Sequence, residues 1–314
     1  MALPGPGPSL SVDEIATEFG GTTPHSLTEY YRSGGLVPNT PTNAAIPTSG
    51  QIAVGDFYGA SNRPQIALTI SSDTYNYDVY TQATPSPAYI AGSSDITVTV
   101  NPGVTVGSTA TPTYAMLVPS AFNAGDTVTI INNGVIQGKG GNGGNGGGSP
   151  IPPFGAAVVG STGANAIYVN RPTVITNNGT VASGGGGGGG GGGRVQPVTV
   201  PRPPKNGGPY TVVYFYGGGG GGGGAGYNGG TKGLGGSGAS GSGSPGSDGS
   251  SSTGGAGGPS GGGLGGSGGG RGAAGAAGTP SSYAGAAGGA TGNYIVGNPF
   301  VTWPVTGTRQ GGVA

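Results

Sequence analysis

Cysteine is absent from the 314 residues, histidine and tryptophan occur once each, and charged side chains make up only 6%. Without cysteine there is no disulfide framework, no thiolate nucleophile and no thiolate metal ligand. His25 stands alone beside a helix-cap sequence, where a local structural role is expected. No stretch reaches eighteen apolar residues, and Met1-Ala2-Leu3-Pro4-Gly5 lacks the basic and apolar regions of a leader, so neither a membrane span nor a secretory signal is expected. The phosphate-loop pattern fails at Lys139 and Lys232, because glycine follows each. Asp73, Asp78, Asp95 and Asp126 stand beside turns, where Asx-turn chemistry accounts for them, and no Asp-x-Asp-x-Asp-Gly calcium loop occurs. These absences exclude the common catalytic constellations. The expectation is no enzyme, no catalytic residues, no metal, no cofactor and no nucleic-acid partner.

What is abundant is glycine, 80 residues, with 27 prolines. The chain divides near Asn133: residues 1–133 hold 13 glycines and residues 134–314 hold the other 67 (80 − 13). Charge divides at the same place. The front carries Arg32 and Arg63 against nine acids, net −7; the back carries eight basic residues against Asp248 alone, net +7. Gly184 to Gly193 is an uninterrupted run, echoed by Gly217 to Gly224. Glycine loses the most freedom on folding, which suits a linker, but these runs alternate with β-branched and aromatic segments as linkers do not. Ordering one residue costs about 1–2 kcal/mol, while one hydrogen bond returns about 0.5–1.5 kcal/mol net. A glycine segment therefore needs many neighbours and anchored ends. The polyproline-II conformation turns every backbone group outward and permits such packing, so residues 134–314 are expected to form a polyglycine-II helix bundle.

Residues 1–63 read as a small helical module. Ser11-Val12-Asp13-Glu14 is a capping box leading to Ile15 and Phe19 and stopping at Gly20-Gly21; Ser26-Leu27-Thr28-Glu29 repeats the device before Tyr30 and Tyr31. A third short element is expected at Gly55 to Tyr58. So few apolar side chains make a marginal core, which points to docking on a partner. Residues 64–133 turn to β: Ile66–Ile70, Asn76–Tyr80, Ile96–Val100 and Thr127–Ile131 predict a β-sandwich-like spacer.

An internal repeat follows. Thr127-Val-Thr-Ile-Ile-Asn-Asn-Gly134-Val-Ile-Gln-Gly138 matches Pro172-Thr-Val-Ile-Thr-Asn-Asn-Gly179-Thr-Val-Ala-Ser183, and Tyr210–Tyr216 is a looser third copy. Asn-Gly between β-branched residues predicts short hairpins that feed the glycine runs. Tyr294–Val296 and Phe300–Trp303 bring strand residues back at the end, so the chain is expected to return and close the domain. The fold class expected is thus mixed: a small helical N-terminal module, a β-sandwich-like middle domain, and a C-terminal polyglycine-II helix bundle with short β-hairpins. Varied segments 149–173, 194–216 and 279–302 are expected as loops at the bundle ends, where recognition resides on rigid scaffolds. Arg194, Arg202, Lys205, Tyr210, Tyr214 and Tyr216 join positive charge with aromatic area and are the candidate receptor-binding residues; the bland reading makes the tyrosines a hydrophobic clamp.

The stretch from Asn132 to Gly147, the glycine runs and the terminal Val301-Thr-Trp-Pro-Val-Thr-Gly-Thr-Arg-Gln-Gly resemble the glycine-rich domain at the fibre tips of tailed bacteriophages, in the style of the T-even-like fibre-tip adhesins. Glu18-Phe-Gly-Gly, Ser26-Leu-Thr-Glu-Tyr-Tyr-Arg-Ser-Gly-Gly and Asp56-Phe-Tyr-Gly resemble a module recurring in phage virion proteins. The resemblance implies a virion protein assembled in the host cytoplasm. Residues 1–63 would join it to other tail or virion proteins, and loops of the glycine-rich part would contact a host outer-surface protein or lipopolysaccharide. Association with further copies of the chain is compatible with it. The 64–131 region is not matched to these adhesins. The alternative class is a non-adhesive structural virion protein, a capsid decoration or fibre cap; an ice-binding polyglycine protein is disfavoured by the irregular glycine register.

Overall fold

The computed structural model describes residues 3–148, 155–201 and 208–314. Its contacts divide the chain into two compact units, Met1–Leu68 with Tyr80–Val98 and Ala121–Thr129, and Thr69–Val79 with Thr99–Ser120 and Ile130–Ala314.

In the first unit, α1 (Val12–Phe19) starts at Ser11, whose hydroxyl accepts the Glu14 amide at 3.2 Å while the Glu14 carboxylate accepts the Ser11 amide at 2.8 Å. The Ser11 amide and, at 2.9 Å, the Ser11 hydroxyl both donate to that carboxylate and hold the Glu14 carboxyl below its ordinary pKa. The second capping box forms at Ser26 but opens a 3-10 turn, Leu27–Tyr30, and a further 3-10 turn covers Val54–Phe57. Ile15, Phe19, Tyr30, Val37, Ile46 and Phe57 form one buried cluster, in which Phe57 meets Phe19 and Tyr30 edge-on at 6.3 and 6.2 Å. His25 has the local role expected, its Nδ1 lying 3.2 Å from the Tyr30 hydroxyl. Arg63 anchors the start of the β region: Nε donates to Asp95 at 2.6 Å and Nη2 to the Ser94 and Gly125 carbonyls at 3.0 and 2.6 Å.

The chain then winds through three sheets. Its first pass lays down β1 (Gln65–Ile70), β2 (Thr74–Tyr75) and β3 (Tyr77–Asp78), with α2 (Val79–Ala83) following. The second gives β4 (Asp95–Val100), β5 (Thr105–Gly107) and β6 (Met116–Val118); the third, β7 (Thr127–Asn132), β8 (Val135–Gln137) and β9 (Ile167–Val169). The fourth gives β10 (Thr173–Asn177), β11 (Thr180–Ala182) and, after a ribbon of β12 (Arg194–Val200) and β13 (Tyr210–Tyr216), β14 (Asn293–Val296); the fifth gives β15 (Val301–Val305), β16 (Thr308–Gln310) and β17 (Gly312–Val313). The sheets are ordered β1-β4-β7-β10-β15, β2-β5-β8-β11-β16 and β3-β6-β9-β14-β17. Pairing is parallel in each of them. Register stacks like on like: Val106, Ile136 and Val181 lie in one column and Met116, Ile167 and Ile295 in another, all fully buried.

The expected mixed architecture is overturned. Parallel sheets dominate, and only two α-helices occur among the described residues. Neither a β-sandwich nor a helix bundle is formed, because strands of 64–133 share their sheets with strands of 167–182 and 293–313. The predicted hairpins at Asn-Asn-Gly are absent as well. Gly134 and Gly179 are not among the positive-φ residues that a type I′ turn requires. Each repeat instead turns a corner between two sheets, and successive corners stack. Asn132 Nδ2 donates to Asn177 Oδ1 at 2.8 Å, Asn178 Nδ2 to Asn133 Oδ1 at 2.9 Å, and Asn177 Nδ2 to the Thr306 and Thr308 carbonyls at 2.8 and 3.2 Å. A Cβ at Gly179 would fall on the Gly134 carbonyl, so glycine is needed there for space and not for φ. The third copy, Tyr210–Tyr216, belongs to the antiparallel ribbon and turns no such corner.

Glycine-rich excursions leave the corner between the second and third sheets: residues 138–166 in the third pass and 183–292 in the fourth. They are neither helix nor strand over most of their length. Hydrogen bonds from Gly184 to Gly193 repeat every third residue. Gly184, Gly187 and Gly190 donate to Ala164, Ser161 and Val158; Gly185, Gly188 and Gly191 to Ala225, Gly222 and Gly219; Gly186, Gly189 and Gly192 to Ala273, Ala276 and Thr279. The carbonyls accept from segments 141–147, 263–269 and 286–292 in the same rhythm. Six neighbours thus satisfy one glycine run, and Gly218 to Gly224 is surrounded likewise. We call this arrangement the glycine sheaf.

Candidate functional site

The sheaf has two ends. At the end beside the sheets, Gly138 donates to Ala182 at 2.9 Å and Ala166 to Asn293 at 2.9 Å. At the far end, β12 and β13 form a two-stranded ribbon, paired antiparallel over seven residues each, from Arg194 opposite Tyr216 to Val200 opposite Tyr210. Its base is bolted to neighbouring turns. Phe215 donates to Ser240 Oγ at 3.1 Å, the Ser240 amide to Phe215 O at 2.8 Å, Val195 to Ser282 Oγ at 3.0 Å, and Arg194 Nη1 to Gly261 O at 3.4 Å. The Tyr216 ring lies against Gly241 and Gly261, where any side chain would collide with it or crowd it.

Alternation along the strands puts Tyr210, Tyr214 and Tyr216 on one face of the ribbon, and cross-strand register adds Arg194 and Gln196 to that face. Tyr214 and Tyr216 stack at 6.4 Å with planes 23° apart. Tyr210 and Tyr214 are 42% and 36% exposed, which favours a contact surface over a buried clamp. The predicted residues Arg194, Tyr210, Tyr214 and Tyr216 are therefore brought together. Arg202 and Lys205 lie outside the described residues.

Sequence reasoning missed the ribbon's companions at this end: the turns at 238–241, 260–262 and 281–283, which touch its base. Their signal is the break in glycine spacing, at Ser237-Gly-Ala-Ser-Gly241, Pro259-Ser-Gly-Gly262 and Pro280-Ser-Ser-Tyr283. The tails of the segments expected as loops, 167–173 and 293–302, are largely strand. The acids of the β region are engaged structurally. Asp95 takes Arg63, Gln65 and Thr127, Asp126 takes Tyr89 and the Ser94 amide, and Asp73 takes the Thr105 amide. Among the described residues no group of three or more His, Cys, Asp or Glu is placed to hold a metal, and no helix is long and apolar enough to cross a membrane.

No curated protein sequence matches the chain. A solved structure, the crystal structure of the gp37–gp38 adhesin tip complex of the bacteriophage S16 long tail fibre, is similar at 20% identity and a TM-score of 0.47, covering 85% of this chain and 88% of that one. The profile described as phage tail fibre adhesin Gp38 matches residues 65–314, which takes in all three parallel sheets, the sheaf and the ribbon. The chain belongs to the Gp38 family of phage tail fibre adhesins.

Proposed function

We propose that this tail fibre adhesin grips its host receptor with the far end of the glycine sheaf, and that the face carrying Arg194, Tyr210, Tyr214 and Tyr216 is the main contact. The observation that carries this reading is the aromatic and basic face of the ribbon, with Tyr210 and Tyr214 exposed, held by hydrogen bonds to the turns that end the glycine sheaf. Tyrosine supplies contact area at small entropic cost, and arginine pairs with carboxylate or phosphate on a protein or lipopolysaccharide. Residues 1–63 join the adhesin to another tail protein; 64–133 supply the first passes of the sheets, and 134–314 supply the sheaf and the later passes. The role is one of binding, without a catalytic step, at the tail of the virion.

The test is the triple variant Arg194→Ala, Tyr210→Ala, Tyr214→Ala in adsorption to host cells. The contribution of a central aromatic and arginine cluster is about 2 kcal/mol or more, so adsorption falls at least about thirtyfold while the unfolding midpoint stays in place. Unchanged adsorption by the folded variant would overturn the assignment.

A further inference from the structure

Within the second compact unit, a cleft of about 430 Å³ opens where the second sheet meets the sheaf. That volume lies in the range of small-molecule sites, roughly 300–1,000 Å³. One side is the sheet, from Asp73 just before β2 and Thr105 on β5 to Gln137 at the end of β8. The other is formed by the sheaf turns at 227–229 and 249–251, with Arg271 beside them.

Hydrogen bonds fix both sides. The Tyr227 amide donates to the Gly138 carbonyl at 3.1 Å, Gly229 to Gly226 at 2.8 Å, and Gly226 to Ser250 at 2.9 Å. The Tyr227 ring lies on Gly107, where a Cβ would come within 2.0 Å of it. The Ser251 carbonyl takes two donors at once, Gln137 Nε2 at 2.6 Å and Arg271 Nε at 2.7 Å.

The same bonds leave polar atoms spare. Arg271 uses Nε on Ser251 and keeps both Nη groups, while Asp73 gives Oδ1 to the Thr105 amide at 2.7 Å and keeps Oδ2. The two charges line one cleft without pairing with each other. Gln137 is only 1% exposed, yet its amide oxygen accepts no hydrogen bond from the described residues. A buried polar group left so costs about 1–3 kcal/mol. The Tyr227 hydroxyl and the Asn228 side chain are likewise without a partner among the described residues.

This set of groups selects a ligand class. Asp73 repels a simple anion and Arg271 a simple cation, and a small zwitterion would use those two poles and leave the amides and the phenol idle. A hydroxyl both donates and accepts, so neighbouring hydroxyls give to Asp73 Oδ2 and the Gln137 oxygen while taking from Arg271 and Asn228. We propose that the cleft binds an uncharged saccharide unit, at the end of the sheaf opposite the ribbon. The site goes beyond the ribbon's receptor contact and is independent of it.

The test is an amide NMR titration of the full chain with D-glucose, D-galactose and N-acetyl-D-glucosamine in turn, with glycine and inorganic phosphate as controls. At least one sugar is expected to shift Thr105, Gly229, Ser250 and Ser251 saturably, in the millimolar range, while 210–216 stay in place. The variant Asp73→Asn, Asn228→Gly is expected to bind that sugar about tenfold more weakly or worse. Both changes suit the backbone: asparagine keeps an oxygen for the Thr105 amide, and glycine accepts the φ of 59° at position 228. No saturable shift with any of the three sugars, shifts with glycine or phosphate alone, or equal binding by the folded variant would overturn the assignment. Each of those results leaves the ribbon contact standing, because host-cell adsorption tests that separately.

Discussion

At the scale of single residues, the fold depends on places where no side chain fits and on two asparagines that bind one coil to the next. A Cβ on Gly188 would land on the Gly266 carbonyl, whereas one on Gly270 would have only Ser252 O within reach, at 3.8 Å. Gly188→Ala is therefore expected to destabilise by about 3 kcal/mol or more. Gly270→Ala should stay within about 0.5 kcal/mol of wild type, and thermal unfolding of the pair reads the contrast. Asn177 is fully buried, and its side chain makes three hydrogen bonds that bridge successive corners. Asn177→Ala leaves the Asn132 donor and two carbonyls without that partner and should cost about 2–4 kcal/mol, read as a lower denaturant midpoint. Asn-Asn-Gly was conspicuous in the sequence, but its meaning was not. A hairpin and a stacked corner ask for the same small, turn-forming residues, and only the neighbouring coil, some 45 positions along from Asn132 to Asn177, tells them apart.

Among the elements, three strands were legible and their partners were not, while Asn76–Tyr80, also expected as a strand, is one only over Tyr77–Asp78 before α2 begins. β-branched runs marked Ile66–Ile70, Ile96–Val100 and Thr127–Ile131 as strands, and all three lie within strands of the first sheet. Periodicity within a strand says nothing of whether the next strand pairs antiparallel or continues into another sheet, and that choice separates a sandwich from stacked parallel passes. The last pass shows how the column ends. Arg309 follows Val181 in register, and its guanidinium lies 5.4 Å from the Tyr294 ring and 5.2 Å from the Trp303 ring. Trp303→Ala should cost about 3 kcal/mol, and Arg309→Ala about 1 kcal/mol, each measured by chemical denaturation. The helix cap offers a gentler probe. Glu14 has its pKa lowered by Ser11, so its favourable contribution is present above the ordinary carboxylate range and is lost as pH falls through the lowered value. An NMR titration should find the Glu14 carboxyl moving upward in the Ser11→Ala variant.

On the scale of the whole molecule, the compositional break near Asn133 marked where glycine begins but not how the glycine is carried. The excursions are inserted into the passes of one parallel coil: their first residues leave β8 and β11, and their last return to β9 and β14. Both ends of each excursion are thereby held by strands, which is the anchoring that the near balance of chain entropy and hydrogen bonding demands. Of the candidate site, Arg194 and the three tyrosines were legible because charge and aromatic area stand out in glycine-poor text. The companion turns were not, because serine and glycine serve equally in the sheaf and in the turns that end it. In the proposed mode of attachment the far end of the sheaf meets the host. Hydrogen–deuterium exchange of the full chain, free and bound to envelopes of a strain that the phage adsorbs to, tests it most directly. Slowed exchange at 194–201 and 210–216, with 11–30 unchanged, is the predicted result. Protection confined to residues 3–63, or none at the ribbon despite binding, would place the host contact away from the far end of the sheaf.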